Sequence, residues 1–245
     1  MARPSILGFL AMTRPTQKRR ERFFVEQAAR LLGKPWILED DREHPDFIIT
    51  EGEQRFGLEV CEIFIGPQDR AGSAMKRTES DLHRQLERLR REYEAIAPIT
   101  LRVQIVGRLS PENMASIVPA LVAEDLPSKP VGHHLVIDEG NGLRLHVTKA
   151  LRPEWFSVNQ RVGWVDRNPL PIVADAVSKK SNELERYRAA AGADIRLLLV
   201  ADRIHKSGKL MLDGTAALDT QGFQVVYVLP YPEPVVVFVA QRDAA

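Results

Sequence analysis

Residues 45–64 read PDFIITEGEQRFGLEVCEIF and decide the fold. Residues 46–50 and 56–64 are rich in aromatic and β-branched residues, a composition typical of β-strands. The polar linker 51–55 between them is short enough for a hairpin. We therefore predict two antiparallel neighbouring strands.

Two carboxylates lie on this hairpin. Side chains at positions i and i+2 of a strand share a face, so Glu59 and Cys61 point one way while Val60 and Glu62 point the other. Asp46 lies on the partner strand. Carboxylates brought together across a hairpin repel each other, and Mg²⁺ or Mn²⁺ would neutralise them with oxygen ligands. The pair predicts a metal site; the alternative is a solvated hairpin edge.

The order and spacing of these residues resemble a known superfamily. Pro45-Asp46, twelve intervening residues and then Glu59-Val60-Cys61, preceded by a helix and followed by a helix and a strand, resemble the PD-(D/E)XK nucleases. The match covers residues 18–64 and, more weakly, 169–240. The resemblance implies a restriction-endonuclease-like α/β fold in which Asp46 and Glu59 hold the metal and a glutamate of the preceding helix often joins them.

Cys61 departs from the pattern of that superfamily. The third motif residue is usually a lysine that handles the attacking water, whereas this chain has a thiol. An ordinary thiol, with a pKa of about 8.5, is mostly neutral at pH 7, and soft sulfur does not favour Mg²⁺. We interpret Cys61 as a small buried residue. Some members of the superfamily carry the lysine on a neighbouring element, so we look for a substitute there.

Lys180 is the candidate substitute. A helix predicted at 169–191, projected at roughly 100° per residue, places Lys180 in the middle of an apolar stripe and Lys179 well away from it. The stripe consists of Val173, Val177, Leu184 and Tyr187. Two interpretations fit: Lys180 snorkels to the helix edge, or it points at a buried acidic site that compensates its charge.

Glu21 is the candidate third carboxylate. The predicted helix 18–33 has an apolar stripe that includes Phe24 and Ala28; Glu21 falls within this stripe, whereas Glu26 lies opposite. We expect Glu21 to assist Asp46 in holding the metal ion. The alternative is that it only favours the helix dipole in the first turn.

The rest of the chain predicts further helices and strands. Helices are expected at 79–96 and 111–124, a hairpin at 132–147, and strands at 99–107, 195–201, 223–229 and 235–240. These elements predict one α/β domain over residues 1–245: a mixed β-sheet flanked by helices, with an inserted helix and β-hairpin. The core is expected at 18–64 and 169–240, and residues 108–165 form an embellishment.

The charge balance limits how the chain can contact other molecules. With 34 Lys plus Arg and 33 Asp plus Glu, the net charge is +1. Any contact with nucleic acid must therefore use a local basic surface. Basic and acidic residues alternate on the polar face of the helix predicted at 79–96, which favours a solvated face with ion pairs over a phosphate-binding one.

The cysteine content and the first residues predict the compartment. A single cysteine excludes an intramolecular disulfide and indicates a reducing interior. The apolar segment 6–12 is too short to span a membrane, and the basic residues at 18–20 follow it, unlike those of a signal peptide. We expect a cytoplasmic protein with no membrane contact.

Three hypotheses for function follow. The first is a metal-dependent nuclease that cleaves DNA or RNA, in which Asp46, Glu59 and Glu21 hold Mg²⁺ or Mn²⁺ and Lys180 orients the attacking water. The second, favoured by Cys61, is a nuclease-like binding or interaction protein without catalytic activity. The third is a structural protein that forms homo-oligomers through the helix at 79–96.

Overall fold

The computed structural model describes most of the chain in two compact units. The described residues are 14–39, 44–66, 68–69, 72–140, 142–158, 163–212 and 216–240. The apolar segment 6–12, on which the expectation about the membrane depends in part, lies outside them. The first unit comprises residues 1–65 and 165–245, and the second comprises residues 66–164.

The described part of the chain contains both helices and strands. The helices are α1 (Arg14–Leu32), α2 (Ala74–Ile96), α3 (Pro111–Ala123), α4 (Leu170–Ser181) and α5 (Leu184–Ala191), with a 3₁₀ turn at Lys206–Gly208. The strands are β1 (Ile37–Glu39), β2 (Phe47–Glu51), β3 (Gln54–Glu62), β4 (Gln68–Asp69), β5 (Gly72–Ser73), β6 (Leu101–Val106), β7 (His134–Asp138), β8 (Arg144–Lys149), β9 (Glu154–Ser157), β10 (Ile195–Val200), β11 (Val225–Leu229) and β12 (Val236–Val239).

The first unit is built on a mixed sheet. Its described strands have the order β1-β2-β3-β10-β11-β12. Strands β2 and β3 pair antiparallel, with Phe47 opposite Leu58, so the predicted hairpin is confirmed. Strands β3, β10 and β11 run parallel, and Glu59 lies opposite Leu197. The predicted α/β class, with a mixed sheet and flanking helices, is confirmed.

Helices cover both faces of this sheet. Strand β10 is buried along its whole length, as expected for a central parallel strand with an apolar run on each face. On one face Val60 packs in a core with Phe24 of α1. On the other face Cys61 packs against a core that contains Val177 of α4 and Tyr187 of α5. The alternation along β3 therefore directs Glu59 and Cys61 toward α4 and α5.

The second unit has its own sheet and core. Its larger sheet has the order β7-β8-β6-β9, and Tyr93 of α2 and Ile117 of α3 belong to the same core as residues of β6 and β8. The predicted helix at 111–124 and hairpin at 132–147 are confirmed. This unit also contains α2 and β6, in addition to the residues that we expected as an embellishment. The single-domain organisation stays a prediction.

The helix predicted at 169–191 is wrong as one continuous element. The Glu183 N–H donates to the Lys180 carbonyl at 3.0 Å, a 3₁₀-type bond that ends α4. Asn182 and Glu183 nevertheless keep right-handed helical backbone angles. The apolar stripe consequently continues into α5, where Leu184 and Tyr187 are buried.

None of the described helices combines the length and the apolar character that crossing a membrane requires.

Candidate active site

The β2–β3 hairpin brings Asp46 and Glu59 together. Asp46 immediately precedes β2, and its Oδ2 accepts a hydrogen bond from the Val60 N–H at 3.0 Å. The Asp46 N–H in turn donates to Glu59 Oε2 at 3.3 Å. Asp46 is 8% exposed and Glu59 is 4% exposed. The two carboxylates are therefore buried neighbours and do not form a solvated hairpin edge.

Lys180 of α4 points at this pair. Its Nζ lies 2.6 Å from Glu59 Oε1, although the two residues are 121 positions apart in the chain. The Lys180 side chain keeps 29% of its surface exposed while its ammonium contacts the buried carboxylate. A role for Lys180 in catalysis stays a prediction.

Glu21 reaches the site through another lysine. Lys18, one turn earlier on α1, places its Nζ 2.5 Å from Asp46 Oδ1 and 3.1 Å from Glu21 Oε2. Within the described part of the chain, no group of three or more His, Cys, Asp or Glu side chains is arranged to hold a metal ion. The carboxylates brought side by side are Asp46 and Glu59, and a metal-ligand role for Glu21 stays a prediction.

Tyr187 and His44 complete the surroundings of Glu59. Tyr187 interacts electrostatically with the Glu59 carboxylate, and the ring of His44 stacks on that of Tyr187 with 6.2 Å between centroids. The sequence places Tyr187 in an apolar stripe and gives it no role in the site. A buried tyrosine usually needs a hydrogen-bond partner for its hydroxyl. This requirement is the feature of the sequence that indicates a polar group near Tyr187.

The electrostatics of Glu59 and Lys180 are those of a coupled pair. Burial raises the pKa of Glu59, repulsion by Asp46 raises it further, and Lys180 opposes both without reversing the shift. Burial lowers the pKa of Lys180, but the attraction of Glu59 outweighs burial, so that this pKa is raised. Perturbed ionisable groups of this kind concentrate at functional sites.

Cys61 lies on the same face of β3 as Glu59. Its Sγ is 3.6 Å from the Glu62 carbonyl oxygen. Burial raises the pKa of the thiol; Lys180 lowers it, but Glu59 and Glu62 raise it further. The thiol is therefore neutral at physiological pH and cannot replace the positive charge of a motif lysine.

A second charged cluster, which we did not predict, lies at the carboxyl ends of β3 and β10. Arg20 donates to both carboxylate oxygens of Glu62, at 2.7 and 3.0 Å, and to Asp202 Oδ2 at 3.0 Å. One guanidinium thereby forms ion pairs with two carboxylates. The signal was the basic run at 18–20, but the pairing depends on the register of β3 with β10, which sequence spacing does not reveal.

Basic side chains on the first half of α1 border the Asp46–Glu59 pair. Lys18 and Arg22 approach the ring of Phe47, at 5.6 and 5.9 Å from its centroid. On α2, by contrast, Arg88 and Arg90 form ion pairs with glutamates of the same helix, as predicted for a solvated face. Lys18 and Arg22 of α1 therefore place positive charge beside Phe47, the residue that follows Asp46.

No protein-family model, curated protein or solved structure matches the chain. Its function must therefore be inferred from its own residues.

Proposed function

We propose that the chain is a metal-dependent nuclease of the PD-(D/E)XK type that hydrolyses phosphodiester bonds in DNA or RNA. The observation that carries the proposal is the 2.6 Å contact between Lys180 Nζ and Glu59 Oε1, next to Asp46. It supplies an ammonium where the sequence motif lacks one. Helix α1 before the hairpin, and α4, α5 and β10 after it, fit a restriction-endonuclease-like arrangement.

The donor set fits Mg²⁺ or Mn²⁺. Asp46 and Glu59 offer adjacent carboxylate oxygens, and magnesium sites in proteins often use one or two carboxylates with retained waters. Such an ion, when bound, supplies an acidified water and neutralises charge on a phosphate. Sulfur at Cys61 does not match this preference. Asp46 and Glu59 would therefore hold the ion without Cys61.

The other side chains of the site would bind the substrate and orient the reacting groups. Lys180, partly exposed beside Glu59, would donate a hydrogen bond to the attacking water or to a phosphate oxygen. Tyr187, which interacts with Glu59, would orient its carboxylate. The basic residues Lys18 and Arg22 in the first half of α1 would contact the nucleic-acid backbone, since cations near a phosphate chain supply affinity independent of sequence.

A second candidate is a nuclease-like binding or interaction protein that does not cleave. The favouring observation is that all four carboxylate oxygens already accept a bond within the protein. Asp46 Oδ1 contacts Lys18 and its Oδ2 accepts from Val60, while Glu59 Oε1 contacts Lys180 and its Oε2 accepts from Asp46. The pair is thus neutralised without a metal ion.

Cleavage assays separate the two candidates. The protein is incubated with plasmid, linear and single-stranded DNA and with RNA, in Mg²⁺ or Mn²⁺. We expect cleavage that disappears in Asp46→Asn and in Glu59→Gln. Glu26→Gln is the matched control, because Glu26 is exposed on α1 and should leave the rate unchanged. Cleavage that survives both site variants overturns the proposal, and binding without cleavage of any substrate favours the second candidate.

A further inference from the structure

Lys18 is the second ammonium at the carboxylate pair. Its Nζ bridges Asp46 Oδ1 at 2.5 Å and Glu21 Oε2 at 3.1 Å, so that one cation joins carboxylates from two different elements. Lys180 contacts the remaining carboxylate, Glu59, in the same way. Each acidic group in this cluster therefore has a positively charged partner from the chain itself.

Several contacts hold Lys18 in this position. Its side chain is 26% exposed, and its ammonium lies 5.6 Å from the centroid of the Phe47 ring. Gln17 donates to Glu21 Oε1 at 2.9 Å, which orients the carboxylate that Lys18 contacts. Burial lowers the pKa of Lys18, but the contacts with Asp46 and Glu21 outweigh it and leave this pKa raised. Lys18 therefore carries its charge at neutral pH.

A divalent ion at Asp46 would bind most readily at Oδ1, the oxygen that Lys18 already contacts. Asp46 Oδ2 accepts the Val60 N–H, which leaves Oδ1 as the oxygen directed to other ligands. Two cations at one oxygen repel each other strongly in a partly buried site. Entry of the ion and departure of the ammonium are thus one coupled event.

We propose, building on the nuclease function above, that Lys18 is an internal competitor for the divalent ion. It forms ion pairs with Asp46 and Glu21 when no ion is bound and moves away when the ion arrives. Its flexible four-carbon stem permits this movement, because a lysine ammonium is a compact charge on rotatable bonds. The consequence is a site that binds divalent ions more weakly than its carboxylates alone would.

Direct measurement of Mn²⁺ binding by calorimetry tests this competition without relying on activity. The full chain is compared with Lys18→Met, Lys18→Gln and the control Arg19→Met. The control removes the same charge from the adjacent, exposed residue of α1. We expect Kd to fall about tenfold or more in both Lys18 variants, since a charge-assisted bond no longer has to break. The control should stay within about twofold, because exposed charges act weakly.

A second measurement needs no variant. The wild-type protein is treated with a chemical acetylating reagent, with and without saturating Mn²⁺. The acetylation of each lysine is then quantified by mass spectrometry. We expect Mn²⁺ to increase the acetylation of Lys18. The control is Lys34, an ion-paired lysine of the same unit that lies 2.7 Å from Glu51, and its acetylation should not change.

The outcomes separate the competitor from the nuclease function. If the wild-type protein binds Mn²⁺ and the Lys18 variants bind it no more tightly, the competitor role of Lys18 is overturned. The proposed nuclease function is not affected by that result. Unchanged acetylation of Lys18 at saturating Mn²⁺ overturns the competitor even if the variants do not fold. If no variant binds Mn²⁺ and wild type does not cleave, the metal-dependent function is overturned together with the inference.

Discussion

Lys180 and Glu59 are joined by a 2.6 Å contact between the ammonium of one and Oε1 of the other. Lys180 lies on α4 and Glu59 on β3, so the contact connects a helix to the face of the sheet that it covers. Its value to the protein is testable because Lys179, the preceding residue, forms only an exposed pair with Asp175.

We expect Lys180→Ala to reduce cleavage by about two orders of magnitude, the size typical of losing a positioned proton donor or acceptor. Lys179→Ala is the matched control and should leave the rate unchanged, because its pair with Asp175 is exposed. Initial rates with Mn²⁺ and the best substrate measure both effects. Equal cleavage rates for the two variants would exclude a catalytic role for Lys180.

We expect Glu59→Gln to increase the free energy of unfolding at pH 8, by about 1 kcal/mol, the usual size of a stabilising substitution at a functional site. Burial and then Asp46 raise the pKa of Glu59 despite Lys180, so the protein disfavours the ionised form. A raised folded-state pKa contributes stability below the unfolded pKa and loses it as pH rises through the folded pKa.

The gain from Glu59→Gln should therefore shrink as the pH falls toward 4 and wild-type Glu59 becomes protonated. Urea unfolding across the pH range measures it, with Glu26→Gln as the exposed control. A variant that is less stable than wild type at pH 8 would show that the bond to Lys180 stabilises the fold more than burial of the charge opposes it.

We expect Cys61 to react slowly with a disulfide reagent. Burial is the main cause that raises the pKa of its thiol, and the thiolate is the reactive form. At pH 8 the folded protein should react at least about tenfold more slowly than the protein in urea. A reagent that releases a chromophore on reaction with a thiol gives the reaction rate of Cys61 directly, since the chain has 1 cysteine. Equal rates would indicate an accessible thiolate.

We expect Gly57→Ala to destabilise the first unit. A Cβ at this position would lie 2.7 Å from Pro45 Cγ, 2.9 Å from Ile195 Cδ1 and 3.0 Å from Ala191 Cβ. Overpacking of this kind costs about 1 to 3 kcal/mol. Since Pro45 adjoins Asp46, cleavage should decrease as well. Urea unfolding measures the decrease in the free energy of unfolding. A decrease below about 0.5 kcal/mol, the size typical of surface substitutions, would contradict the prediction.

The sequence was most informative where a pattern is local. The strand composition of residues 46–64 predicts the hairpin because adjacent strands need only a short turn. The projection predicts the direction of Lys180 although α4 ends at Ser181, since Asn182 and Glu183 keep helical backbone angles. The role of Lys180 as the substitute lysine stays a prediction. The short strand β1 was missed because three residues are too few to show alternation.

Other parts of the site depend on contacts between distant segments. Lys18 belongs to the run of basic residues at 18–20, and its contact with Asp46 joins residues 28 positions apart. The contact of Arg20 with Asp202 spans 182 positions. Neither contact can be predicted from the spacing of residues within one helix or strand. The three-residue separation of Lys18 and Glu21 on α1 was the usable signal, since such pairs are neighbours on a helix.

The parallel pairing of β3 with β10 sets an order of events during protein synthesis. Val60 lies opposite Leu198, yet residues 66–164, with a core of their own, are translated between the two strands. The hairpin therefore leaves the ribosome early and keeps an unpaired edge while the second unit is made. A nascent chain that ends before residue 195 exposes this edge, and unpaired strand edges are prone to aggregation. The stage at which the chain most needs a chaperone thus falls between translation of the hairpin and of β10.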